Sequence, residues 1–429
     1  MPPRKSFRLD RMQILAELAG DPERCAPVIH IAGSKGKGSI AAMIASILEA
    51  DGKKAARYMS PHVSDFRERI CLGNSFFDED IYCAAGDELR NMAENIIPAK
   101  NISLFDSACD EGEPLTFFEL LTMLFFLCAR IKCCDIMVLE TGMGGRLDCT
   151  NIVDPLVSVI TLIELEHTSI LGGSIEAIAN EKAGIIKQGR PLFLARQKPQ
   201  AYRVFNERAL ERNSPLYYFP EIASAENINV HKNGTDFSMS LKLLSASEVV
   251  YFSQLSIPIP GKLQAENAAL AAAALRFVFP QLGSEAVKDG LKNVKLPARF
   301  EKITCGSDII VDGAHTPESI KFCTETFCTL YGSRGILLFG CAADKNAEAM
   351  AKVLLPHFSQ IIITAPGNFK ISNPEKVYKA FNSEKAILIS DTSRAVQRAL
   401  QEGKEKKEPV LVTGSFYLAE EVRKIIQVG

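Results

Sequence analysis

Residues 30–40 read HIAGSKGKGSI, and few folds accommodate such a segment. An apolar run, VIHIA, leads into it and SIAAMIASILEA leads out. In the second run Ile40, Met43, Ile44, Ile47 and Leu48 fall at i, i+3, i+4, i+7 and i+8, one face of a helix. The order is therefore strand, glycine-rich turn, helix. Gly33, Gly36 and Gly38 let backbone N–H groups converge on an anion, and the helix N-terminus adds positive potential. Lys37 is placed to reach terminal phosphates, and the Ser39 hydroxyl to meet Mg2+. Strict Walker spacing fails, because it requires Gly where Ile31 stands and Ser or Thr where Gly38 stands. The bland alternative is a turn with its lysines in solvent. Strand and helix context favour a phosphate cradle, with a nucleotide such as ATP as its ligand.

The theme recurs along the chain. DIMVLE (135–140) and LVSVITLIE (156–164) read as strands, with a helix over 115–131 before them. Buried runs alternating with amphipathic helices predict an α/β fold: a P-loop-type, doubly wound, mostly parallel sheet. Between about 200 and 260 the pattern changes. FSMSLKL alternates after an Asn233–Gly234 turn signal and VVYF follows, which predicts a small antiparallel β annex. An alanine-rich helix, ENAALAAAALRFVF, comes next. Beyond KLPAR (295–299) the runs DIIVDG, GILLFG, IIITAP, AILIS and PVLVTG each precede a helical pattern. They predict a smaller, Rossmann-like α/β unit. A chain of 429 residues exceeds one ordinary core, so two domains, 1–297 and 298–429, are expected. EGKEKKEP (402–409) reads as a solvated charged turn.

Composition narrows the partners. Lys and Arg (49) nearly balance Asp and Glu (51), leaving −2, which argues against a nucleic-acid partner. The 12 cysteines contain no CxxC pair and read as reduced thiols. MPPRKSFRLD is basic but lacks a following apolar core, so it is not a secretory signal. The longest apolar stretch, Leu115–Ile131, is broken by Glu119, Thr122 and Arg130 and is too short and polar to span a membrane. A cytoplasmic monomer without a membrane partner is expected.

In open parallel sheets, ligands gather outside the carboxyl ends of strands. Glu140 ends DIMVLE, and His167 follows LVSVITLIE. With Ser39 they form a hard-ligand set suited to Mg2+, although a lone terminal Glu is more often solvated and a lone His structural. GMGGR invites a dinucleotide reading, but Leu147 stands where the third glycine belongs and no amphipathic helix follows. VDGAHTPES (311–319) and VLVTGSFYLAEEV (410–422) repeat the strand–loop–helix pattern in the second unit. They suggest a ligand held between the units, or only turns with N-caps.

Together these segments resemble the folylpolyglutamate synthase and dihydrofolate synthase family of the Mur-ligase superfamily, from about Ile29 to Ala419. GSKGKGS resembles the family's GTNGKGS loop, and SPHVSDFRERI (60–70) its folate-side loop. LETGMGGRLDCTN, EHTSILGGSIEAIANEKAGIIK, GKLQAENAALA, LPARFE, VDGAHTP, GCAADKN and TGSFYLA follow in the family's order. The resemblance implies an ADP-forming ligase. ATP phosphorylates a carboxylate of a folate or dihydropteroate, and the amino group of L-glutamate displaces phosphate to give an amide. It implies nucleotide contacts at Gly33, Ser34, Gly36, Lys37, Gly38, Ser39, Asn267, Arg299 and Asp312. Ser39, Ser60, Glu140 and His167 match ligand positions for two Mg2+ ions, and Lys182 matches a carbamylated lysine. Ser60, Pro61, His62 and Arg69 match the folate side, His315 and Ser415 the glutamate side, with Lys37, Lys182 and His315 closest to the chemistry.

Departures from the pattern touch detail more than reaction class. Lys35 replaces Asn, Leu263 replaces His, Thr316 replaces Asn and Glu166 replaces Asp. A peptidoglycan-type Mur ligase is the enzymatic rival, and the folate-like loop argues against it. A nucleotide-dependent switch is the rival of another class, and it has no need of Glu140, His167 and Lys182 together.

Overall fold

The run VIHIA forms strand β1 (Val28–Ala32), buried on both faces, in the middle of an eight-stranded sheet. The computed structural model describes residues 9–96, 115–242, 249–304, 306–367 and 371–428. The other strands of this sheet are β2 (Ala55–Tyr58), β3 (Ile70–Leu72), β4 (Ser75–Phe76), β5 (Ile136–Glu140), β6 (Val157–Ile160), β7 (Leu192–Leu194) and β8 (Leu216–Tyr218). Their order is β4-β3-β2-β5-β1-β6-β7-β8. The β2-to-β8 run is parallel, while β3 and β4 form an antiparallel edge. Helices cover both faces, which is why its central strands read as unbroken apolar runs.

On one face lies the helix Lys37–Ala50, whose residues from Gly38 to Leu48 are all buried. It packs against the alanine-rich helix Lys262–Val278 and the helix Ser284–Lys292. The second contact is very close. A Cβ on Gly290 would stand 2.4 Å from the Ile47 Cα, and the Ser46 hydroxyl donates to the Gly290 carbonyl at 2.6 Å. On the other face lie Leu9–Leu18, Glu79–Asn91 and Phe117–Ile131. The last starts at Phe117 because Thr116 caps it: its side chain accepts from the Glu119 amide, and Glu119 accepts from the Thr116 amide.

The annex is a three-stranded antiparallel sheet of β9 (Ala223–His231), β10 (Gly234–Lys242) and β11 (Val249–Ile257), ordered β11-β10-β9. Phe237, Met239 and Leu241 face the core, as alternation requires. Leu243 of FSMSLKL lies outside the described residues. The smaller sheet holds β12 (Glu301–Thr304), β13 (Asp308–Val311), β14 (Ile336–Phe339), β15 (Gln360–Ile363), β16 (Ala386–Leu388) and β17 (Val410–Thr413). Its order is β12-β13-β17-β14-β15-β16, parallel except for β12.

Two sequence readings need correction. The segment 402–409 is not a free turn: the helix Thr392–Lys406 runs through most of it. Glu402 is buried there and pairs with Arg398 and Lys406 at i−4 and i+4, pairings that favour helix. LVSVITLIE is strand only to Ile160. Beyond it the chain bends to the glycine-rich turn, where the Leu162 carbonyl accepts from the Ser34 and Lys35 amides at 3.0 and 3.1 Å.

Candidate active site

The turn after β1 keeps its shape because its glycines have no alternative. Gly33 has φ 145°, and a Cβ there would lie 1.8 Å from the Thr161 hydroxyl oxygen. Gly36 has φ 91°, and a Cβ there would press on the Asn267 amide. The Gly33 carbonyl accepts from Lys182 Nζ at 2.7 Å, and Ser34 Oγ donates to the Glu164 carbonyl at 3.0 Å. The first i→i−4 bond of the following helix is Ile40 N to Gly36 O. The amides of Lys37, Gly38 and Ser39 therefore belong to the helix's donor end.

Charged side chains crowd this edge. Lys182 is 1% exposed, with Nζ 2.9 Å from Glu166 Oε1. Burial brings the Lys182 ammonium down to about 8, against the opposing pull of Glu166. Burial works against the Glu166 carboxylate too, but Lys37 and Lys182 overcome it and hold that group at about 2. Burial raises the Glu140 carboxyl, and Lys37 partly offsets this. Glu140 Oε2 accepts from the Ser60 amide at 3.1 Å, and Oε1 lies 4.0 Å from Lys37 Nζ. Lys35 is also pushed down by burial, with Glu166 and Glu164 pulling the other way. His167 begins a short helix at φ 47°, and burial lowers its imidazole.

The second unit adds fewer charges. Both oxygens of Asp312 accept backbone bonds at 2.8 Å, from Phe300 and Ala314. Asp312 thus ties residues 298–300 to the end of β13, and burial raises its carboxyl. The Arg299 guanidinium lies over the Phe416 ring, 4.4 Å from its centroid. His315 Nδ1 sits 2.8 Å from the Gly313 carbonyl, so that nitrogen is the donor and Nε2 is left as the acceptor. Burial, with Lys35 adding to it, lowers His315 to about 4. Ser415 is buried and its Oγ accepts from the Tyr417 amide at 3.1 Å. On the first unit's loop, Arg69 Nε donates to His62 Nδ1 at 2.8 Å.

Two cavities meet among these residues. One, of about 550 Å3, is lined by the turn from Ser34 to Ser39 and by Asn267, Arg299 and Asp312. The other, of about 750 Å3, is lined by Arg69, Thr116, Phe118, Asp148 and Ser415 among others. Ser60, Pro61, Gly142, His167, His315 and Phe416 border both. Lys182 lines neither; it sits behind the turn and reaches it through Gly33 and Glu166. His62 borders neither cavity and acts on the second through Arg69.

Sequence reasoning passed over several groups that shape the site. Asp148 is buried and accepts from the Met143 and Thr150 amides at 2.9 and 3.0 Å, which folds GMGGRLD against the second cavity. Its signal was an acid inside a glycine-rich segment, the pattern of an Asx-type turn. Phe118 and Phe416 gave no signal, since an aromatic residue beside a helix start reads as core.

The turn, the parallel sheets and the charge cluster define a Mur-ligase-type enzyme. Residues 90–275 match the model of the Mur ligase middle domain, and 298–416 that of the Mur ligase glutamate ligase domain. The chain is 31% identical over 424 residues to folylpolyglutamate synthase of Lacticaseibacillus casei, covering 98% of this chain and 94% of that one. It is 30% identical over 423 residues to dihydrofolate synthase/folylpolyglutamate synthase of Bacillus subtilis, covering 97% and 94%. The structure of Mycobacterium tuberculosis folylpolyglutamate synthase complexed with ADP and AMPPCP superposes with a TM-score of 0.88 at 26% identity, covering 97% and 95%. The chain belongs to the folylpolyglutamate synthase/dihydrofolate synthase family. Among the described residues, no helix is long and apolar enough to cross a membrane.

Proposed function

We propose that this chain joins the amino group of L-glutamate to a carboxylate of a folate or dihydropteroate, converting ATP to ADP and phosphate. The observation that carries this is the meeting of the two cavities at Ser60, His167 and His315. A nucleotide on the turn would direct its terminal phosphate to that junction, where an acceptor carboxylate from the second cavity can meet it. The carboxylate oxygen takes the γ-phosphoryl group and ADP leaves. The glutamate nitrogen then attacks the acyl carbon, and the tetrahedral intermediate expels phosphate.

This chemistry depends mainly on positioning and charge neutralisation. Lys37 and the amides of the first helical turn hold the phosphates, and Arg299 approaches from the second unit. Asn267 offers an amide for the two-point reading of adenine. His315 Nε2, neutral near pH 7, accepts a hydrogen bond from the incoming amine, and Ser415 faces the same glutamate. Ser60, Pro61, His62 and Arg69 shape the acceptor side.

Ser39, Ser60, Glu140 and His167 suit Mg2+: they are hard donors, and the buried Glu140 carboxylate calls for a cation beyond Lys37 at 4.0 Å. Bound there, Mg2+ supplies charge neutralisation at the phosphates. Lys182, lowered to about 8, keeps part of its amine neutral and open to carbamylation by CO2. A carbamate on Lys182 would add a second anion beside Glu166, and a second Mg2+ held there would supply the neutralising charge. NMR with 13C-bicarbonate reads this directly; no carbamate signal at saturating Mg2+ and nucleotide removes it. Domains 1–297 and 298–429 are the two halves of the machine, working as a cytoplasmic monomer, which sedimentation tests for the oligomeric state.

The decisive assay is ADP release requiring Mg2+, L-glutamate and either tetrahydrofolate or dihydropteroate together, with the two acceptors run in parallel. ADP formed equally without glutamate, with no amide product, would sink the ligase reading.

A further inference from the structure

The segment PARFE (297–301) leads from the helix Ser284–Lys292 into β12, and its backbone is unusual. Ala298 has φ 53° and Phe300 has φ 50°. Two residues other than glycine thus stand in the left-handed region, one on each side of Arg299. Such residues cost free energy and persist only where their surroundings dictate them. Here they do. Ala298 is fully buried, in one apolar cluster with Ile309 and Val311. Its amide donates to Glu301 Oε2 at 2.9 Å, and its carbonyl accepts from the Gly313 amide at 2.9 Å. The Phe300 amide donates to Asp312 at 2.8 Å.

Arg299 itself is held differently. Among the described residues its guanidinium makes no hydrogen bond and no ion pair, and it rests on the Phe416 ring. A long side chain without such partners takes its direction from its backbone and from the surface it lies on. Both supports lead to one helix, Phe416–Val428. The Phe416 ring packs on Gly313, where a Cβ would stand 2.3 Å from it, and its other contact is the guanidinium. Arg423, about two turns further along that helix, pairs with Glu301 Oε1. The Glu301 carboxylate is therefore shared. One oxygen ties the segment to the helix, and the other holds the left-handed Ala298.

We propose that this strained, doubly anchored segment sets the aim of Arg299 at the nucleotide, with Ala298 and Glu301 as positioning residues of the ATP site. The inference deepens the ligase reading and rests on its assignment of Arg299 to the nucleotide. The cation is directed in advance: a long side chain is ordered when the protein folds and not when ATP binds. A relaxed segment lets Arg299 reach the phosphates from only a fraction of its conformations, and apparent affinity falls by that fraction.

The test is a double-mutant cycle on nucleotide affinity, read by calorimetry with AMPPCP and Mg2+ so that no turnover is needed. Ala298→Gly adopts the left-handed angle without strain and many other angles besides. It weakens binding about fivefold, and its melting temperature stays near the wild-type value, since relief of strain offsets the loss of one buried methyl group. Glu301→Ala, which frees the Ala298 amide, also weakens binding about fivefold. Glu301→Gln keeps an oxygen for that amide and restores most of the affinity. In an Arg299→Ala background neither Ala298→Gly nor Glu301→Ala has a further effect. Wild-type affinity in Ala298→Gly overturns the proposal, as do losses that persist undiminished without Arg299. If Glu301→Ala does not fold, Ala298→Gly alone carries the cycle. Arg299→Ala binding AMPPCP as tightly as the wild type removes Arg299 from the nucleotide, and the proposal with it. Failure of the ligase reading is separate: glutamate-dependent ADP is then absent, while calorimetry still judges the segment.

Discussion

The carboxyl edges of the two parallel sheets are built from different material. On the eight-stranded sheet Lys37, Glu140, Glu164, Glu166 and Lys182 crowd together with little access to water. On the six-stranded sheet the corresponding edge carries one acid, Asp312, tied up by two backbone amides, and otherwise Thr364, Thr413 and Ser415, buried and uncharged, with His315 held neutral. Paired charges suit a polyvalent phosphate, whose own charge replaces solvent. Hydroxyls and a neutral imidazole suit a small zwitterion, recognised by single hydrogen bonds and by fit. The same strand–loop–helix grammar thus supports two kinds of recognition, separated by what stands at the ends of the strands.

Breaking the charged edge should produce the largest effects. Lys37→Met is expected to lower kcat about 10^3-fold while the fold is retained, because in the proposed reaction its ammonium would act on charge that develops during transfer. Steady-state ADP release with a circular dichroism control checks this. Lys182→Met takes from the part-buried Glu166 its closest partner, leaving Lys37 and Lys35, and a loss of about 2–3 kcal/mol in urea unfolding is expected. Ser415→Ala on the neutral edge should cost about 1 kcal/mol in the same experiment, since only one neutral hydrogen bond is lost. Equal losses at the two positions would contradict the contrast.

The neutral edge has its own signature in pH. His315 titrates near 4 when folded and near 6.5 when unfolded. Between those values the unfolded chain takes up a proton that the folded chain refuses, so stability falls as pH drops from about 6.5 to about 4. Relative to His315→Gln, the wild type should lose about 1–2 kcal/mol across that window, a figure reduced for partial exposure. The smallest effect sharpens the same edge. Thr316 caps the helix Pro317–Tyr331 through the Ser319 amide, and Thr316→Ala should cost about 1 kcal/mol in thermal unfolding.

Much of this was legible because it is local. The phosphate turn could be read from its glycines, since at Gly33 and Gly36 the backbone angles and the crowding leave no room for another residue. The mostly parallel character of the sheets was implied by strand–helix alternation, and the annex by the Asn233–Gly234 turn signal; the strand order was not. Pairings that depend on distant segments were hidden. The Lys182–Glu166 contact was foreseen only as a metal-side lysine and a departure from Asp, because nothing in either segment says that they touch. The charged stretch 402–409 misled because charge density signals solvent while i,i+4 pairing signals helix, and pairing prevailed.

The close approach of Gly290 to Ile47 has a mechanical consequence. The helix that begins at Lys37 is held ten residues on, about 15 Å from the phosphate turn, by contact with backbone and not with pliable side chains. Such a rod, clamped at its tail, has little room to slide or pivot, and the turn at its head is held in place with it. A methyl group at position 290 would act as a shim: it would shift the far end of the rod and detune turnover from a place no ligand reaches.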